Sequence, residues 1–201
     1  MRTLPVPVVI LTGLFGIAMI WLVGASLATR AVPTYPLHPR PPAAGATLDT
    51  VTIDARDPDR WQFFAFAAGA LVPPDTAGWD FAVRRYHVMV AGEAAAIDSV
   101  AFEALKTPPS AGYQATTFGR DTVNRAIARW YRYSMFSHLL RPRPEFYVVR
   151  SRSGTATKLE FLSYYCPGPQ PGCVTIRYAS ISSSWGSSVS PSGCSANACR
   201  M

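Results

Sequence analysis

The side chains with which this chain could do chemistry are few and uneven. It has three histidines, at 38, 87 and 138, and four cysteines, at 166, 173, 194 and 199. It also has seventeen arginines against two lysines. Histidine is the usual general base and metal ligand near neutral pH. Here the histidines are scattered and no carboxylates cluster beside them, so a catalytic metal or an acid–base pair has little to build on. The metalloprotease, serine-hydrolase elbow, P-loop, dinucleotide and CxxCH patterns are all absent. We read the chain as a non-enzyme.

The arginines are the larger resource. Formal charge is +7, and residues 120–152 hold eight arginines against two acids: Arg120, Arg125, Arg129, Arg132, Arg141, Arg143, Arg150 and Arg152. The planar guanidinium favours bidentate partners such as carboxylates, phosphates and lipid headgroups. No zinc-finger, helix-turn-helix or RNP pattern accompanies the charge, so nucleic acid is not an expected partner. A solvated face, or one near anionic lipid, is the plain alternative to a protein-docking face.

Residues 5–28 carry no charged side chain and are long enough to cross a hydrocarbon core of roughly 30 Å. A signal peptide cleaved near Ser26, Leu27 and Ala28 is the competing reading; the length of the run favours an uncleaved anchor. The cysteines form no CxxC pattern, and an even number behind an export segment points to disulfides in an oxidising compartment. Three pairings exist. The most local joins Cys166 to Cys173 and Cys194 to Cys199. The expected setting is a single-pass protein of a bacterial inner membrane, with its folded part in the periplasm.

The elements that must position these groups are mostly strands. After an anchor at 1–29, residues 30–47 are proline-rich and read as a semi-rigid stalk or strap, reaching up to roughly 50 Å at about 3.1 Å per residue. A β domain follows at 48–179. Within it, 48–54 and 61–66 read as strands, 67–78 as a loop, and 79–90 as one alternating strand in which Asp80 and Arg84 share a face and could pair. Residues 96–102 suggest another strand. Residues 121–133 suggest a helix with Asp121 as N-cap and Val123, Ile127 and Trp130 along one side. The runs 146–150 and 156–165 read as a hairpin turning at Gly154, with Arg150, Arg152 and Lys158 free to face a partner. The fold class is mainly β, an antiparallel sheet or sandwich-like domain with a minor helix, plus one N-terminal transmembrane helix.

The order WDFAVRRY at 79–86, WYRY at 130–133 followed by His138-Leu139-Leu140, YVVR at 147–150, Ser153-Gly154, and KLEFLSYY at 158–165 resembles the HmuY-like haem-binding family. The likeness extends over about residues 48–179, including a closing strand at 174–178. It departs after Tyr86, where Val90-Ala91-Gly92-Glu93 stands in place of an Asn-Gly-Gly turn. The resemblance implies an exported, membrane-attached, predominantly β protein that binds haem through axial side chains. On that reading His138 and His87 are the candidate ligands, with Met135 and Met89 close to them in sequence, and Arg141 and Arg143 meet the propionates.

The tail at 180–201 has nine serines in 22 residues, with Trp185 and two cysteines. A composition of this kind buries too little apolar surface to order itself. The sequence reading therefore puts first an accessory subunit docked on a larger membrane complex, respiratory or photosynthetic. Arg120, Arg125, Arg129, Arg132, Arg150, Arg152 and Trp185 would face that partner, and residues 5–28 would lie in lipid. Haem binding comes second, and haem is the one cofactor that the resemblance offers.

Overall fold

A computed structural model describes residues 5–27, 31–37, 48–74, 77–119 and 122–181. Its one helix among these residues is α1 (Val6–Leu27), about 33 Å long at 1.5 Å per residue. Length and composition suit a membrane span or a signal sequence.

Twelve strands follow in chain order: β1 (Asp49–Asp54), β2 (Gln62–Ala65), β3 (Ala70–Val72), β4 (Phe81–Arg84), β5 (His87–Val90), β6 (Glu93–Ile97), β7 (Gln114–Ala115), β8 (Tyr131–Tyr133), β9 (Leu140–Pro142), β10 (Phe146–Arg150), β11 (Ala156–Cys166) and β12 (Gln170–Ile181). They form a six-stranded sheet in the order β1-β12-β11-β10-β6-β7, a four-stranded sheet β3-β2-β4-β5, and the two-stranded ribbon β8-β9. Pairing between these strands is antiparallel throughout. The core joins the two larger sheets: Phe64, Phe81, Val83, Val88 and Val90 of one pack with Val51, Ile53, Leu159, Phe161 and Ile176 of the other. Trp130 closes this core, stacked on Phe161 with ring centroids 4.2 Å apart.

The hairpin expected at 146–165 is present as β10 and β11. Residues 79–90, by contrast, are not one strand. β4 and β5 pair through a two-residue loop in which Arg85 takes a φ of 53° and donates its N–H to the Ala55 carbonyl. The fold-back reconciles the sequence pattern. In a single strand, Phe81 and Val83 would face away from Val88 and Val90; in the hairpin, Phe81 lies opposite Val90 and Val83 opposite Val88, so all four enter one core. The expected Asp80–Arg84 pair does not form. Asp80 accepts the Phe66 N–H at 2.9 Å, and Arg84 lies 4.9 Å over the Trp61 ring. Burial raises the Asp80 pKa, and the Phe66 N–H opposes that rise.

The helix expected at 121–133 is a turn followed by β8. Asn124 is fully buried, donating Nδ2–H to the Gln114 carbonyl at 2.7 Å and accepting the Ala126 N–H at 3.1 Å. A side chain that takes up local backbone groups in this way competes with a helix for them. Thr117 and Val123 also form a β-bridge, which commits the start of the segment to extended structure. Ile127 and Trp130 are buried as their spacing predicted, but from turns. Asp121 lies outside the described residues. Smaller shifts are β3 inside the expected loop at 67–78, β6 beginning at Glu93, and β12 running well beyond 174–178.

The stalk expectation also changes. Val32 packs on the core, the Pro33 carbonyl accepts the Ser163 hydroxyl, and Thr34 bridges in parallel to Tyr165. β10 pairs with β11 only as far as Leu159, so the second half of β11 would leave an open edge. The strap at 31–37 and β9 cover it, and the Leu140 N–H donates to the Tyr165 hydroxyl at 2.9 Å. Residues 38–47 lie outside the described part. Cys166 and Cys173 form a disulfide across the turn from β11 to β12. Cys194 and Cys199 are outside the described residues.

Candidate functional site

The sequence-predicted site residues divide into three groups. Arg120 and Trp185 fall outside the described residues. A second group is already engaged within the domain. Lys158 is buried and its ammonium donates to the carbonyls of Phe102 at 2.6 Å and Leu105 at 2.9 Å. Arg150 lies 3.6 Å from Glu93 and 3.8 Å over the Tyr113 ring. Arg152 donates to the Ala91 carbonyl and lies over Trp79. These three are structural ties, not free cations. Arg143 is shared between Glu145, at 4.0 Å, and the Tyr131 carbonyl.

The third group gathers at the β8–β9 ribbon and the neighbouring β4–β5 turn. Trp130 donates its indole N–H to the Tyr86 carbonyl at 2.9 Å, which fixes that turn over the core. Tyr86 lies 4.4 Å from His87 with the rings tilted, and meets Tyr131 edge-on at 5.6 Å. Tyr131 and Tyr133 share a face of β8, two residues apart. The Tyr133 hydroxyl lies 2.6 Å from Nδ1 of His138. Three tyrosines thus lie between His87 and His138: Tyr86 and Tyr131 are in contact with each other on the His87 side, and Tyr133, further along the same face of β8, meets His138.

His138 has the more distinctive setting. The loop from 134 to 139 is closed by Ser134 N–H to the Leu139 carbonyl and His138 N–H to the Ser134 carbonyl, both 2.9 Å. This closure puts His138 at a φ of 52°, the left-handed region, where an L-residue is strained by roughly 1–2 kcal/mol. Its ring is exposed. If Nδ1 carries the proton and donates to Tyr133, Nε2 keeps a lone pair with no partner among the described residues, the tautomer in which a second partner sharpens a metal-binding imidazole. Met135 and Phe136, at the same tip, are 73% and 93% exposed.

His87 is kept neutral more readily than an ordinary histidine: burial lowers its pKa from 6.5, and the Arg84 charge lowers it further. Met89, by contrast, is buried with Trp79, Ala82 and Ala91 on the other face of the four-stranded sheet, away from the ligand-donor role that its place in the sequence suggested. Arg132 and Arg141 sit directly opposite each other across β8 and β9, both exposed. Neither has an acidic partner among the described residues. Arg125 and Arg129 are likewise exposed. Among the described residues, no three of His, Cys, Asp and Glu come together as a metal site.

Sequence reasoning missed the tyrosines. The WYRY spacing, two tyrosines on one strand face with a histidine five residues after the second, was the available signal.

No family model and no curated protein matches this chain. Solved structures do. A protein of Bacteroides fragilis assigned as a lipoprotein superposes with a TM-score of 0.60 at 19% identity, over 69% of this chain and 92% of its own. A protein of Bacteroides vulgatus assigned as an HmuY-like heme-binding protein gives a TM-score of 0.57 at 20% identity, over 69% of this chain and 94% of its own. The apo HmuY analog of Tannerella forsythia gives 0.58 at 16% identity, over 67% and 96%. The fold is HmuY-like: the likeness spans nearly the whole of each neighbour, so the resemblance read from the short motifs holds at the level of fold.

Proposed function

We propose that this is a non-enzymatic, extracytoplasmic binding protein for a haem-type ligand, with the β8–β9 ribbon as its site. One observation carries the reading: His138 is exposed, held in a strained backbone conformation, and has Nδ1 within 2.6 Å of the Tyr133 hydroxyl, while Nε2 has no hydrogen-bond partner among the described residues. Neutral imidazole donates to iron, and a haem would add its own redox and ligand-binding chemistry once seated. The residues fit such a group in three respects. Nε2 of His138 supplies a donor, Met135 offers a thioether on the same loop, and Arg141, exposed and without an acid partner among the described residues, suits a propionate. Arg143 is less suited, because Glu145 already meets it. His87, beside Tyr86, is the secondary donor. One HmuY-like neighbour described as heme-binding supports the ligand class, and the lipoprotein neighbour, the disulfide and the N-terminal apolar helix support export to an oxidising compartment.

The accessory-subunit reading loses Arg150 and Arg152 to contacts within the domain, and neither the fold comparisons nor any contact described above adds to it. Haemin titration of the full chain in detergent tests the ligand reading. A saturable Soret shift that His138→Ala weakens supports it, as does a loss of roughly 10-fold or more in affinity for Tyr133→Phe. Titration curves that match those of haemin in empty micelles would contradict it.

A further inference from the structure

We propose that the tip of the β8–β9 ribbon is a lipid contact, seating the domain on the anionic surface of the bilayer that α1 enters. Three observations converge on it, and none depends on the ligand reading.

The first is the tip itself. Phe136 and Met135, at 93% and 73% exposure, form an adjacent apolar pair at the end of a closed loop. An aromatic this bare with a flexible apolar neighbour has the composition of an interfacial wedge.

The second is charge. Arg132 and Arg141 face each other across the ribbon, the like-charge arrangement that weakens a strand pair unless an anion lies between. Lipid phosphates supply such anions, and guanidinium takes them bidentately while its stem stays against apolar surface.

The third is the tether. α1 ends at Leu27 and the chain is already packed on the domain at Val32. Five residues span at most about 18 Å. Thr34 of this strap bridges to Tyr165, whose hydroxyl holds the N–H of Leu140, the residue that follows the loop at 134–139. The edge that receives the strap is thus the edge that carries the ribbon. The domain lies close to the bilayer, ribbon side near the membrane, and not on a long stalk.

The test uses the full chain in nanodiscs, with Phe136 replaced by the photo-crosslinker p-benzoylphenylalanine and a second sample carrying it at Leu14 in α1. After irradiation, mass spectrometry should find phospholipid adducts at position 136. Yield should be several-fold higher in discs half phosphatidylglycerol than in pure phosphatidylcholine, and should fall several-fold in the Arg132→Glu, Arg141→Glu background and in high salt. Absence of a lipid adduct at 136 overturns the proposal, whatever position 14 shows. So does a yield indifferent to lipid charge and to the two arginines, or an adduct to protein only. Haemin binding is read separately on Phe136→Ser. That variant should lose membrane contact and keep its Soret shift, so that failure of either proposal is distinguishable from failure of the other.

Discussion

Along β11 the burial is almost unbroken, and the one lysine on the strand spends its charge on two loop carbonyls. The ribbon β8–β9 packs beside this strand and is built the other way. It leaves a phenylalanine and a methionine in solvent, sets two arginines opposite each other, and holds a histidine at a positive φ. The lysine of β11 and the arginines at 150 and 152 meet partners inside the domain, whereas the ribbon leaves an imidazole nitrogen, apolar surface and two arginines without one among the described residues. That contrast is the ground for proposing the ribbon as the site, since strain and unmet groups persist where a function retains them.

The contrast can be broken from either side. The largest effect belongs to the framework. Trp130→Ala removes the ring stacked on Phe161 and the bond to Tyr86, and should cost about 3–5 kcal/mol in denaturant unfolding. A cost below about 1 kcal/mol would mean that the core does not close on this residue. Next is the disulfide between Cys166 and Cys173, seven residues apart, whose replacement by two serines should lower stability by about 2–3 kcal/mol. Gly92→Ala comes third. A Cβ there would collide with the Arg150 carbonyl, so β6 and β10 must shift, at about 1–3 kcal/mol.

On the site side the sign reverses. His138→Gly relieves the left-handed backbone and should leave stability unchanged or raise it by about 1 kcal/mol, while haemin affinity falls. The smallest effect is a pH dependence at His87. Its folded pKa lies below 6.5, so the unfolded chain takes up the proton first as pH falls. The stability that neutral His87 contributes is therefore full above about pH 6.5 and is lost as pH drops through the folded value. His87→Gln should show a shallower loss of stability between about pH 7 and pH 5 than the parent chain, measured by urea unfolding at each pH.

Much of the framework was legible in the sequence because strand alternation and turn residues are local signals. The 146–165 hairpin and the first two strands came from short-range pattern, and the Cys166–Cys173 bridge belongs to the most local of the three pairings that the sequence left open. Residues 79–90 misled because alternation has no sign for reversal: only a positive φ at Arg85, held by Ala55 some thirty positions earlier, folds the run in two. Residues 121–133 misled because the apolar spacing of Ile127 and Trp130 suits a helix, while the buried amide of Asn124 makes the backbone turn. For the proposed site, His138 and Arg141 were candidates offered by the family resemblance. The partner Tyr133, the exposure of Phe136 and the engagement of Arg150, Arg152 and Lys158 depend on which strands lie beside which, and short-range pattern does not carry that. The strap was read as a spacer because proline reports stiffness and not what the segment lies against.

The central claim is that the ribbon holds strain and an unmet imidazole for a ligand. Parallel haemin titrations of the full chain and of His138→Gly, each followed by denaturant unfolding of the same ligand-free sample, test it most directly. The account predicts a saturable Soret shift for the parent chain, its loss or marked weakening in the variant, and equal or higher stability for the variant. Equal Soret binding in both chains, or a glycine variant that binds nothing because it no longer folds, would contradict it.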